Sequence, residues 1–167
     1  IGPNAMVRDC IVGKDTTINA SQVNESTIGS HTTVGPFTYV RPNCCIGDHC
    51  RVGDFVEVKN SVIGDGTKIS HLTYVGDSDV GQRVNFGCGT VTTNYDGHKK
   101  HRCTIGDDVF LGCNTNLIAP VTVADRAYTA AGSTVTDDVP EGALAIARQR
   151  QTNIRGWADR LRKTWKK

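Results

Sequence analysis

A parallel β-helix built from three-sided coils is the fold this sequence predicts, and three observations carry that reading. Aliphatic residues recur every six positions at Ile28, Val34, Val40, Ile46, Val52 and Val58, then after a step of five at Ile63, Ile69 and Val75. Glycine follows many of them, as at Gly29, Gly35, Gly47, Gly53, Gly64 and Gly76. Aromatic residues make up only 6% of the chain while glycines number 18. That composition suits tight turns and small inward side chains better than a helical bundle.

A period of six is neither the helical nor the alternating one. It fits a short strand, a turn and another strand, with each aliphatic side chain pointing inward and each turn needing a residue tolerant of unusual dihedrals. The beat continues through Val80 and Phe86, then Ile105, Leu111, Leu117, Val123 and Val135. Three hexapeptides close one triangular coil of about 18 residues, so residues 1–137 make about seven coils. One coil cannot bury its own inner face; stacked coils bury a continuous core of Ile, Val and Leu. The expected division is a β-helix domain over 1–139 and a tail over 140–167.

The beat breaks once. Thr92 and Ile105 are 13 residues apart, and the extra stretch runs Asn94-Tyr95-Asp96-Gly97-His98-Lys99-Lys100-His101-Arg102. Asp-Gly signals a turn, and the rest is polar and basic. A regular solenoid that ejects one loop is expected to use it. In the tail, Trp157, Leu161 and Trp165 fall at i, i+4, i+8 among Arg160, Arg162, Lys163, Lys166 and Lys167. That pattern predicts a short basic amphipathic helix, either capping the prism or helping to hold an anionic ligand.

The formal charge of +2 is too mild to argue for nucleic acid or a membrane. No apolar run is long enough to span a bilayer, and no signal-peptide pattern opens the chain. The seven cysteines show no CxxC spacing, and the adjacent pair Cys44-Cys45 points to opposite faces of a strand. Reduced thiols in a cytoplasmic protein are the expectation. The chain begins Ile1-Gly2, in the middle of a repeat, which reads as a piece of a longer protein.

Five segments then narrow the reading: Val34-Gly35-Pro36-Phe37-Thr38-Tyr39-Val40-Arg41-Pro42, Phe55-Val56-Glu57-Val58-Lys59, His71-Leu72-Thr73-Tyr74-Val75-Gly76-Asp77, Asn94-Tyr95-Asp96-Gly97 and Ala143-Leu144-Ala145-Ile146-Ala147-Arg148. In this order and at these distances they resemble the C-terminal domain of one branch of the hexapeptide-repeat acyltransferases. That branch is the family of bifunctional N-acetylglucosamine-1-phosphate uridylyltransferase/glucosamine-1-phosphate acetyltransferases. The resemblance runs from residue 1 to about Trp157. It implies a left-handed parallel β-helix and a homotrimer with active sites between neighbouring prisms. It also implies acetyl transfer from acetyl-CoA to the amine of glucosamine 1-phosphate, on the route to UDP-N-acetylglucosamine for the cell envelope. The family's N-terminal uridylyltransferase domain has no counterpart in this sequence, and magnesium is expected only for that domain.

Acetyl transfer to an amine needs a base, donors for a tetrahedral oxyanion and a seat for coenzyme A; a thioester is already activated, so no metal is required. The resemblance puts the base at His71, and imidazole titrates near neutral pH. Glu57 is the candidate to orient it. Arg41 and Lys59, one coil apart, suit a phosphate as a fork and a point charge. Their mutual repulsion when stacked argues for an anion between them. Tyr74 and Asn85 resemble the family's sugar-binding residues. Asn94 and Tyr95 are expected near the reacting centre and Cys88, Cys113 and Ala131 along the pantetheine channel, where the two cysteines depart from the family's Ala and Ser. Arg148 is expected at a cofactor phosphate, and Lys100 reaches toward a neighbour's site.

Other readings stay open at this stage. A γ-class carbonic anhydrase shares the β-helix and needs three zinc-binding histidines, for which His31, His49 and His71 are the only ones inside the repeats. A non-catalytic trimerisation scaffold, or a hexapeptide acyltransferase with another acceptor, are the remaining alternatives.

Overall fold

The computed structural model describes residues 1–165; Lys166 and Lys167 of the basic tail lie outside the described residues. The chain winds through three parallel sheets in strict rotation. The first has eight strands, running from Met6–Arg8 through Glu57–Lys59 and Tyr74–Gly76 to Thr134–Val135. The second has seven, from Ile11–Val12 to Val121–Val123. The third has eight, from Thr17–Ile18 through Lys68–His71 to Leu144–Ala145. This is the left-handed parallel β-helix expected from the six-residue beat, with about eight coils rather than seven.

The eighth coil opens at Thr134–Val135, inside the expected solenoid, and closes past Pro140, where that solenoid is expected to stop. Leu144–Ala145 pairs in parallel with Tyr128–Thr129. Its inward residue is the half-buried Ala145, which is too small to register as an aliphatic beat.

Every aliphatic of the beat is buried, from Ile28, Val34 and Val40 through Ile105 and Leu111 to Val135. Each inner face is closed only by the next coil, so these side chains form one column. Most of the glycines that follow the beat serve a purpose other than the expected one; Gly35, at φ 101, is the exception. A Cβ at Gly29 would come within 2.5 Å of the Gly47 carbonyl carbon, and one at Gly87 within 2.4 Å of the Cys113 nitrogen. These glycines let adjacent coils approach. The left-handed backbone at the corners is carried by glycines outside the beat, such as Gly66, Gly89 and Gly132, and by seventeen other residues among the described residues, including His31, Asn43, His49, Phe55, Leu72 and Asp77. Past the first coil, each passes a backbone hydrogen bond to the coil beside it, as Phe55 N–H does to Phe37 O at 3.2 Å and Asp77 N–H to Lys59 O at 2.9 Å. Ladder bonding thus compensates the αL cost.

The tail forms the helix Trp157–Thr164. None of its side chains is buried, and Trp157 and Trp165 are exposed. The helix therefore does not cap its own prism. Among the described residues, no helix is long and apolar enough to cross a membrane.

Candidate active site

The outward face of the first sheet and the two corners flanking it bring most of the expected residues together. Strand register stacks Tyr39 beside Glu57 and Glu57 beside Tyr74, and it carries Arg41 onto Lys59 one coil away. Arg41 Nη1 donates to Glu57 Oε1 at 3.0 Å. Lys59 Nζ donates to both oxygens of Asp77, at 3.4 and 3.3 Å. The stacked cations are as expected. Each already has a carboxylate, however, so repulsion between them is not by itself an argument for a bound anion.

Glu57 does not meet His71. It lies on the first sheet and is spent on Arg41. His71 ends a strand of the third sheet in register with Asp54, and its Nδ1 lies 2.9 Å from Asp54 Oδ1. Asp54 is held below the ordinary aspartate range by its own backbone N–H and by His71. An ionised carboxylate only accepts, so Nδ1 carries a proton, and in the neutral imidazole the lone pair is then on Nε2. Sequence reading missed Asp54. Stepping back one coil from His71 finds it, 17 residues earlier.

At the opposite corner the ejected loop folds back on its own chain. Asn94 donates to Asp77 and lies 3.4 Å from the Tyr74 hydroxyl. Arg102 closes the loop by bridging Asp79 and the Asn60 carbonyl. Lys100, expected to reach a neighbour, meets Lys59 in the same chain. The second cation beside it, Lys59, holds Lys100 below the ordinary lysine range. Tyr95 is exposed and turned onto the loop, its hydroxyl donating to Gly97 O at 2.8 Å.

The expected cofactor residues form a row. Extending the register of the third sheet puts Cys88 beside His71, then Cys113, then Ala131. Gly132 N–H donates to Cys113 O, and Arg148 Cδ lies 3.7 Å from where a Cβ of Gly132 would stand. Small side chains line this corner and a guanidinium ends it, which fits a pantetheine arm with a phosphate beyond. Asn85 stands on the outward side of the third sheet, apart from Tyr74 on the first. One chain does not bring those two together.

His31 and His49 stack at 4.8 Å on the corner between the second and third sheets, with Asp15 at 3.8 Å from His31. His71 stands at a different corner, so the three histidines do not converge within the chain.

Fold and site together define a hexapeptide-repeat transferase. The bacterial transferase hexapeptide family (six repeats) matches residues 25–60 and 102–137, and the chain belongs to it. Over 158 residues, 95% of its length, it is 56% identical to the bifunctional protein GlmU of Clostridium acetobutylicum. The identity to bifunctional protein GlmU of Oceanobacillus iheyensis is 62% over 163 residues, 98% of the chain. It spans about a third of those relatives, 35% and 36% of their lengths. Among solved structures it resembles a GDP-perosamine N-acetyltransferase from Caulobacter crescentus in complex with CoA and GDP-perosamine. The TM-score there is 0.62 at 25% identity, over 70% of this chain and 53% of that one. A UDP-N-acetylglucosamine acyltransferase from Campylobacter jejuni shares the fold, with TM-score 0.58 at 17% identity over 98% of this chain and 82% of that one.

Proposed function

We propose that this chain transfers the acetyl group of acetyl-CoA to the amine of glucosamine 1-phosphate, within a parent protein that also carries a uridylyltransferase. One observation carries the reading. A histidine with a free Nε2, oriented by Asp54, borders a sheet face on which Arg41 and Lys59 stack in register. The identity to bifunctional protein GlmU along nearly the whole chain supports it.

Arg41 and Lys59 grip the phosphate, trading part of their bonding to Glu57 and Asp77 for charge-assisted contacts. Lys100, near Lys59, adds a third cation once it is protonated. Tyr74 offers its hydroxyl to the sugar. His71 Nε2 takes the amine proton as the nitrogen attacks the thioester carbonyl, Asp54 stabilises the imidazolium that forms, and the C–S bond then breaks, the leaving CoA thiolate taking that proton. Acetyl-CoA supplies the acetyl group as an activated thioester. The row Cys88, Cys113 and Ala131 leaves room for its arm, and Arg148 meets a phosphate.

The assembly is a homotrimer. Asn85 and Tyr74 serve one sugar only if two prisms face each other. The stacked rings of Phe37 and Phe55, 5.5 Å apart and continued by Leu72, leave an exposed apolar ridge beside the Asp54–His71 pair for a neighbour to cover. Seven free cysteines accord with a cytoplasmic setting.

A coenzyme A release assay compares glucosamine 1-phosphate, glucosamine and glucosamine 6-phosphate as acceptors. The 1-phosphate should be strongly preferred. Equal rates on all three would remove the phosphate clamp from the reading, and no release would remove acetyl transfer.

A further inference from the structure

Asp77 is a buried carboxylate with no part in the chemistry set out above. It is 4% exposed and sits at the corner between the first and second sheets. Its Oδ1 accepts from Asn60 Nδ2 at 2.6 Å, both of its oxygens accept from Lys59 Nζ, and Oδ2 accepts from Asn94 Nδ2. The backbone is tied in as well, since Cys103 N–H, just past the loop, donates to Asp77 O at 3.2 Å. Side chain and backbone of this one residue thus join the coil below, its own coil and both ends of the ejected loop.

All three side-chain partners are donors. Only a carboxylate, with four lone pairs and no hydrogen, accepts from all of them at this size. Burial alone would raise its pKa; Asn60, Asn94 and Lys59 together outweigh burial and hold it below the ordinary range. The Lys59 side chain is 17% exposed, so without this partner it must shed its proton or swing outward.

We propose that Asp77 is a positioning residue that locks Lys59, which grips the acceptor phosphate, and Asn94, which opens the loop beside the cofactor, into one unit. The role of Lys59 and Asn94 rests on the acetyl-transfer reading; the lock itself does not. Replacing Asp77 therefore damages both substrate sites at once, though it touches neither substrate.

The test is a pair of double-mutant cycles with Asp77→Asn. Asparagine tolerates the αL backbone that Asp77 adopts, at φ 49, so the variant keeps the corner. Its amide turns one NH2 group onto a donor. Asp77→Asn should raise the KM for glucosamine 1-phosphate and the KM for acetyl-CoA, each by about tenfold, the loss expected for one charge-assisted bond. Lys59→Ala should raise only the first and Asn94→Ala only the second. In the Lys59→Ala background Asp77→Asn should add nothing to the acceptor KM, and in the Asn94→Ala background nothing to the acetyl-CoA KM. A merely structural Asp77 gives additive effects in both cycles, which overturns the proposal. A second arm needs no substrate. An amine-specific acylating reagent should label Lys59 slowly in the wild type and several-fold faster in Asp77→Asn, read by peptide mass spectrometry; unchanged labelling overturns the lock. If the wild type leaves glucosamine 1-phosphate unacetylated, the acetyl-transfer reading falls while the labelling arm still decides the role of Asp77.

Discussion

At the corner between the first and second sheets, Asp77 is buried and takes three side-chain donors, two from the coil below and one from the loop. At the corner between the third and first sheets, the His71 and Asp54 side chains are 53% and 38% exposed, and among the described residues the one side-chain bond of His71 is to Asp54. The first corner fixes groups that must already be in place when the substrate arrives. The second leaves one imidazole nitrogen uncovered, which on the acetyl-transfer reading is where the amine is met. A solenoid allows this division, since its core is the same at both corners and only the outward residues differ.

The largest effect should come from the open corner. His71→Ala should lower kcat by roughly 10²–10⁴ with little change in the acetyl-CoA KM, because only proton transfer loses its partner. Asp54→Asn should cost less, about tenfold or somewhat more, since the base remains but its tautomer is no longer fixed. Wild-type turnover in both variants, measured by coenzyme A release across pH, would show that the exposed pair is decoration.

The closed corner should show itself in stability. The Asp77 pKa is depressed in the folded state. Its contribution is therefore fully present above the unfolded value and is lost as pH falls through the folded one, below about pH 4. Thermal melting of the wild type should weaken through that window, and Asp77→Asn should weaken less. Identical slopes would mean that the carboxylate is not held as described. Asp54, Asp96 and Asp108 are also depressed and remain in both proteins, so the difference between the two curves isolates Asp77.

Cysteine labelling gives the mildest contrast. Burial pushes the Cys103 thiol up to about 11, and Cys44 and Cys50 are raised for the same reason. These three should resist a bulky thiol reagent, whereas exposed Cys45 and Cys113 should react. Acetyl-CoA should protect Cys113 and the half-buried Cys88 but not Cys45. Peptide mass spectrometry with residual activity reads this out. Complete modification of Cys88 or Cys113 with full activity would move the cofactor away from that row.

The core was legible because its inward positions recur: a residue such as Ile46 or Leu111 has no other place to go. The glycines were legible as necessary but not for the right reason, since close coil approach and αL dihedrals leave the same letter in a sequence. Asp54 is within reach of the repeat, one coil before His71, whereas Glu57 falls on the first sheet beside Arg41. The grip of Asp77 on Asn94 was not legible. Asn94 opens the single aperiodic stretch, and nothing in the six-residue beat says where such a loop returns. Ala145 hid the last coil because an inward alanine leaves no aliphatic signal.

The division of labour between sheet face and open corner is tested most directly by one ratio. This is kcat/KM for glucosamine 1-phosphate over kcat/KM for unphosphorylated glucosamine, measured in the wild type, Arg41→Ala and His71→Ala. Arg41→Ala should collapse the ratio by about tenfold or more, the loss of a charge-assisted phosphate contact. His71→Ala should lower both rates alike and leave the ratio where it was. A ratio that survives Arg41→Ala, or collapses with His71→Ala, would contradict the account.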